Sequence, residues 1–187
     1  MRKNLSAFIL CCLTMAAKSQ TASVEKTVFG IQTGFFGIWI HNETKLSDQF
    51  VLRSELGLDN GIWGSDFYDV TGFLMAPVLT VEPRLYYNLE KRARKSRRID
   101  GNSGNFVSFK TSYHPDWFII SNYDNLWLIS DITIIPTWGI RRNIGKHFNY
   151  ETGVGFVYRY ILAKRTDHVH DKIETDLNLH LRIGYRF

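Results

Sequence analysis

Twelve ionisable residues recur at alternate positions of extended-looking segments: Arg53, Glu55, Glu82, Arg84, Lys110, Asp131, Arg141, Glu151, Arg159, Asp176, Arg182 and Arg186. Both signs occur on neighbouring segments. An isolated buried charge is costly, so such a set must pair or meet water if the segments are brought together. The expected charge network of an enclosed lumen is Arg53, Glu55, Glu82, Arg84, Asp131, Glu151, Arg159 and Arg182. Its chemistry is either that of a salt-bridged filling or that of a narrow pore or small-ligand cavity. An enclosure of about eight strands leaves room for side chains and little else, which favours the filling.

Three other clusters invite a chemical reading. The run Lys91, Arg92, Arg94, Lys95, Arg97 and Arg98 is the strongest local charge feature. Such runs bind phosphate or nucleic acid when aromatics interleave with them. None do here, so a solvated turn is expected, able to meet anionic lipid headgroups. Asp167, His168, His170 and Asp171 form a D-H-x-H-D cluster. His168 and His170 point the same way on an extended chain, but two ligands do not make a metal site. Ser121, His114 and Asp116 supply a Ser/His/Asp set by composition, at no spacing that matches a catalytic motif, and Pro115–Asp116 reads as a turn. Neither catalysis nor a cofactor or metal is expected. An aromatic sugar platform of Trp63, Phe67 and Tyr68 is a minor alternative.

The elements that must carry these residues alternate with period two, and helical periodicity is nearly absent. Phe50, Leu52, Leu56 and Leu58 alternate with Val51, Arg53, Glu55 and Asp59; Leu79, Val81 and Leu85 with Thr80, Glu82, Arg84 and Tyr86. Similar runs cover Val107–His114, Leu128–Arg141 and Asn149–Tyr160. The last eleven residues, LNLHLRIGYRF, place Leu177, Leu179, Leu181, Ile183, Tyr185 and Phe187 on one face. Runs of about 9–14 residues suit a tilted bilayer crossing, whereas strands of soluble domains average about five or six. Pro77, Pro83 and Pro136 lack a ladder donor and are expected near strand ends or bulges. In Val28–Glu43 the polar positions change face, from Gln32 to His41 and Glu43. Either one strand carries a bulge, or two strands meet at a tight turn through Phe35 and Phe36. The second reading brings the total to eight; a plug-like first segment over fewer strands is the alternative.

The N-terminus predicts a compartment. Arg2 and Lys3 precede an apolar stretch from Leu5 to Ala17 that is too short to span a bilayer, and Ala17 and Ser19 satisfy a small-x-small cleavage rule. A signal peptide over 1–19 and one domain over 20–187 are therefore expected. Cys11 and Cys12 would leave with the signal, which excludes disulfides and thiol catalysis in the remainder. Losing Arg2, Lys3 and Lys18 and no acid lowers the net charge from +5 to +2, so basicity is a weak argument for a nucleic-acid partner. The aromatic content of 14% fits interfacial girdles, expected from Trp39, Trp63, Trp117, Trp127, Trp138, Tyr86, Tyr87, Tyr158, Tyr160, Tyr185 and Phe187.

With its signal, the EPRLYYNLEKR and PTWGIRRNIGKHFNYETGVGFVYRY segments and the terminal LRIGYRF, the chain resembles small eight-stranded outer-membrane β-barrel proteins of the OmpA/OmpX-like type. The resemblance covers essentially all of residues 20–187 as a pattern. It implies an antiparallel up-and-down transmembrane β-barrel in the Gram-negative outer membrane. Tyr185 and Phe187 would serve as the C-terminal insertion signal, with both termini in the periplasm and variable loops outside. The expected partners are outer-membrane lipids and, during insertion, the barrel-assembly machinery. A monomer without a nucleic-acid partner is expected. A structural or interaction role without catalysis follows; a small pore, a ligand-binding barrel and a lipid-modifying rim enzyme are the alternatives.

Overall fold

The structure, a computed structural model, describes residues 22–63, 72–122, 126, 128–162 and 173–187. The expected signal over 1–19, the Asp167–Asp171 cluster, Phe67 and Tyr68, and the side chains of Trp63 and Trp127 lie outside the described residues. No described helix is long and apolar enough to cross a membrane, which says nothing about strands.

Eight antiparallel staves form a closed barrel: β1 (Thr27–Gly34), β2 (Gly37–Lys45), β3 (Phe50–Trp63), β4 (Gly72–Tyr86), β5 (Asn105–His114), β7 (Asp131–Ile144), β8 (Phe148–Ile161) and β9 (Ile173–Arg186). The two-residue β6 (Ile120–Ser121) adds to the edge of β4. Each stave pairs with its sequence neighbour, and β1 closes on β9 from Gly30↔Arg186 to Gly34↔Arg182. Closure removes the sheet edges that would otherwise seek partners.

The ambiguous Val28–Glu43 stretch is two staves. Gly34 pairs with Gly37 around a two-residue turn whose Phe35 and Phe36 project outward. Gly37 has φ +145°, a value that side-chain-bearing residues rarely adopt. The turn shifts the parity: Val28 and Gln32 face inward on β1, and Trp39, His41 and Glu43 face inward on β2. The change of face read from the sequence is therefore a hairpin and not a bulge.

Pro83 and Pro136 depart from expectation, for they lie within staves without a bulge, whereas Pro77 of β4 stands at a break in the facing register. Pro83 pairs with Leu52 on its β3 side, while pairing with β5 stops after Val81↔Thr111 and resumes at Arg84↔Ser108 in the same register. Pro136 pairs with Phe109 of β5, and its β8 side skips from Ile134↔Tyr158 to Thr137↔Gly155. Pro77 pairs with Leu58 and lies between the ends of the β5 and β6 pairings. No residue is inserted at Pro83 or Pro136, whereas around Pro77 the facing chain gains three residues between Leu79↔Tyr113 and Met75↔Ile120. Each proline keeps an intact ladder on one side and leaves a gap on the other, where its missing N–H falls.

One end of the barrel, the base, carries both described termini, the turns at 46–49 and 145–147, and the long connection 87–104. That connection is a folded cap containing α1 (Leu89–Arg94) and a short 3-10 turn, Asp100–Asn102. Leu89 packs with Ala22, Val24, Val51, Tyr86 and Phe106 in the main apolar cluster. The basic run is thus not wholly solvated. Lys91, Arg94, Lys95 and Arg97 face solvent, but Arg92 is buried and donates to the Arg98 carbonyl at 3.1 and 2.8 Å.

The outer face is apolar all the way round. Phe29, Ile40, Leu56, Val81, Phe109, Ile134, Phe156 and Leu179, one from each stave in chain order, are between 44 and 62% exposed. Trp138, Tyr87, Tyr158, Tyr160, Tyr185 and Phe187 also project outward. Trp39 and Tyr86, expected in the girdles, are buried inside the barrel, because their parity puts them on the polar face of their staves.

Candidate functional site: the charged lumen

The lumen is organised in layers. In the half of the barrel nearer the base Arg53, Arg84, Arg141 and Arg182 meet Glu43, Glu55, Glu82 and Glu151, all buried. The four cations and four carboxylates balance. This is the condition under which ionised groups tolerate removal from water, provided hydrogen bonds occupy the remaining donors and acceptors.

Glu43 is the hub. Its Oε1 accepts from Arg141 at 2.5 Å and from Arg53 at 3.0 Å, and its Oε2 accepts from Asn102 at 2.7 Å. The Tyr86 hydroxyl approaches both oxygens at 3.2–3.3 Å. β2 and β7 lie four staves apart in either direction, so Arg141–Glu43 spans the full lumen. Arg53 also donates to Glu55 at 2.5 Å and to Gln32 at 2.6 Å, and Gln32 donates to Asn149 at 3.0 Å. Arg84 grips Glu151 with both terminal nitrogens at 2.8 Å, donates to Glu82 at 2.9 Å and lies 4.2 Å over the Phe106 ring. Arg182 donates to Glu55 at 2.8 Å and stacks 3.9 Å from the Trp39 ring. Ser108 donates to Glu82 at 2.6 Å.

The base is stoppered. Asn102 adopts φ +58° and is wholly buried, its amide reaching up to Glu43 while its carbonyl accepts from the Glu25 N–H at 2.8 Å. Glu25 pairs with Arg186 at 3.0 Å, and Arg186 also meets Asp100 at 3.4 Å. The Arg98 guanidinium on Asp100, at 2.7–2.9 Å, holds that carboxyl below its usual range; Asn143 and Arg186 act in the same direction.

Above the ion-pair layer the lumen widens into a cavity of about 420 Å³ at the end opposite the base. Along its wall Trp39 donates to Asp59 at 2.6 Å, and Asp59 meets His114 Nε2 at 3.1 Å. His114 Nδ1 meets Asp131 at 2.8 Å. Carboxylates only accept, so an imidazole between two of them carries both protons. Arg159, 44% exposed, lies 3.8 Å from Asp131 and from Glu174. His180 Nε2 is 3.5 Å from Glu151, at the limit of a hydrogen bond and poorly directed.

Of the eight residues expected to form the network, Arg53, Glu55, Glu82, Arg84, Glu151 and Arg182 meet in the ion-pair layer, while Asp131 and Arg159 stand above it. Asp176 is exposed and bonds to the neighbouring Leu177 N–H, and Arg186 belongs to the base. Tyr185 and Phe187 lie at the outer surface of the base, where Phe187 stacks on Phe29 at 5.5 Å. Sequence reasoning missed Glu43, Gln32, Tyr86 and Asn102 as lumen groups. The parity shift after Phe36 could have found Glu43, but nothing local marks Asn102, whose role comes from the cap.

The Ser/His/Asp set is not assembled as a triad. Both ring nitrogens of His114 are engaged by Asp59 and Asp131, Ser121 donates to the Phe73 carbonyl at 2.8 Å, and Asp116 is exposed. Among the described residues no group of three His, Cys, Asp or Glu is placed to hold a metal. No family model, curated protein or solved structure matches the chain.

Proposed function

We propose that this protein is an integral outer-membrane β-barrel with a closed, charge-filled lumen, serving a structural or interaction role through the end opposite its base. The observation that carries this reading is the inversion of polarity. Four Arg–Glu equivalents sit inside, while every stave turns large apolar side chains outward. Soluble monomers rarely expose contiguous apolar patches beyond a few hundred Å². Closure gives every stave a hydrogen-bonded neighbour on both sides, which is what a hydrocarbon solvent favours, with the gaps confined to the proline sites and the stave ends. The staves β3, β4, β7, β8 and β9, at 14–15 residues, exceed the 9–11 needed for a tilted crossing.

The stopper at Asn102 and the ion-pair layer above it argue against a pore, since Asn102, Glu43, Arg53, Arg84, Arg141 and Glu151 are all 1% exposed or less. In this reading the groups that serve recognition are those at the end opposite the base. Cell fractionation and heat-dependent gel mobility test this reading: the protein should extract with detergent from the outer membrane and migrate faster unheated than boiled.

A further inference from the structure

The ion-pair layer closes the floor of the upper cavity, so the cavity is a blind cup. Its acids are committed: Asp59 to Trp39 and His114, Asp131 to His114 and Arg159. Lys110 is not. It faces the cup from β5, its ammonium 5.9 Å from the Trp39 ring, and forms no ion pair within 4.0 Å among the described residues. The nearby Glu55 is held through Oε1 by Arg53 and Arg182, while its buried Oε2 has no hydrogen-bond partner and does not come within 4.0 Å of the Lys110 ammonium. The buried Asn60 Oδ1 on the same wall has no hydrogen-bond partner. The remaining wall is mixed. Leu74, Ala76, Ile135 and Val157 form an apolar part, and Ser112, Thr133, Asn178, His180 and the ion-paired Arg159 and Arg182 a polar one.

We propose that this cup binds a small organic carboxylate, with its anionic head on Lys110 and a compact apolar body against Ala76 and Ile135. Glu55 and Asp59 lie near Lys110 but neither pairs with it directly, and a carboxylate would give the half-buried ammonium the charge-assisted hydrogen bond it lacks. Of the lining cations Lys110, Arg159 and Arg182, Lys110 alone lacks an ion pair within 4.0 Å among the described residues, which suits a monoanion better than a phosphate dianion. The volume lies within the usual range of small-molecule sites. The site depends on the barrel interior and not on where the barrel resides, so protein folded in a non-ionic detergent suffices for the test.

Benzoate and hexanoate are titrated by calorimetry and saturation-transfer NMR, with benzyl alcohol and inorganic phosphate as comparators. At least one carboxylate should bind saturably at one per chain, with benzyl alcohol and phosphate weaker by roughly tenfold or more, about 1.4 kcal/mol. Lys110→Met keeps the aliphatic stem and should weaken binding to a similar degree. Ala76→Phe should abolish it by filling the cup. Heat-dependent gel mobility establishes that each variant is folded; if one is not, the other variant and the neutral comparator decide. Absence of saturable binding by either carboxylate, equal binding of benzyl alcohol, tighter binding of phosphate, or undiminished binding by folded Lys110→Met would overturn the proposal.

Discussion

Arg84 of β4 and Glu151 of β8 form a two-pronged pair inside the barrel, each terminal guanidinium nitrogen 2.8 Å from its own carboxylate oxygen. Their staves are not neighbours, for β5 and β7 stand between them on the shorter arc. The pair is therefore a strut across the lumen, independent of the backbone ladders. Arg141–Glu43 and Arg182–Glu55 are struts of the same kind between other non-adjacent staves.

Removing one end of a strut leaves the other charge buried without its partner. Arg84→Met should lower unfolding stability by about 3–5 kcal/mol. Adding Glu151→Met should restore part of that loss, because the stranded carboxylate is removed too. Urea unfolding in detergent, arranged as a double-mutant cycle, measures both; a neutral single variant, or strictly additive losses, would deny the strut its role.

The stoppered base predicts electrical silence. Purified protein reconstituted into planar bilayers should give no discrete conductance steps, whatever the voltage polarity. Reproducible steps from the unmodified protein would mean that the Asn102 stopper and the ion-pair layer open.

On the outer face, Leu179 lies mid-stave on β9 and is 61% exposed. If that face meets hydrocarbon, Leu179→Arg should cost about 2–4 kcal/mol and reduce the folded fraction assembled in cells. Asn178→Arg, one position away, changes the face and should not reproduce a midplane penalty. Normal assembly of Leu179→Arg would remove the argument from the apolar belt.

The cap has its own pH dependence. Asp100 is held below the usual carboxylate range in the folded state by Arg98, then Asn143 and Arg186. Its stabilising contribution is complete above the ordinary Asp pKa and is lost as pH falls through the lowered value. Because Asp100 is partly exposed, solvent screening keeps the effect modest. Hydrogen exchange of residues 97–104 should accelerate in acid, and Asp100→Asn should be as fast at neutral pH as the unmodified protein is in acid. Exchange independent of pH, once corrected for its intrinsic rate, would contradict the linkage.

Much of the wall was legible because strand parity is a global constraint: one misplaced residue would turn Arg53 or Glu151 outward. The same parity exposed the Phe35–Phe36 turn through the change from Gln32 to Glu43. Trp39 and Tyr86 were misplaced because residue type was weighed over position. Aromatics suit interfaces, yet here the rings support Arg182 and Glu43 inside. Pro83 and Pro136 were misjudged because a missing donor was taken to need a strand end or a bulge, whereas β4 and β7 tolerate it as a gap on one side only. The stopper was illegible for a different reason. Asn102 is distant in sequence from every group it joins, and only the folded connection over 87–104 lifts it into the lumen.

The central claim, a barrel that lives in the outer membrane, is tested most directly by separating inner and outer membranes on a density gradient and running the fractions with and without boiling. The account predicts a band in the outer-membrane fraction alone, resistant to carbonate extraction, whose mobility falls on boiling. Recovery in the osmotic-shock supernatant without detergent, with one mobility at all temperatures, would contradict it.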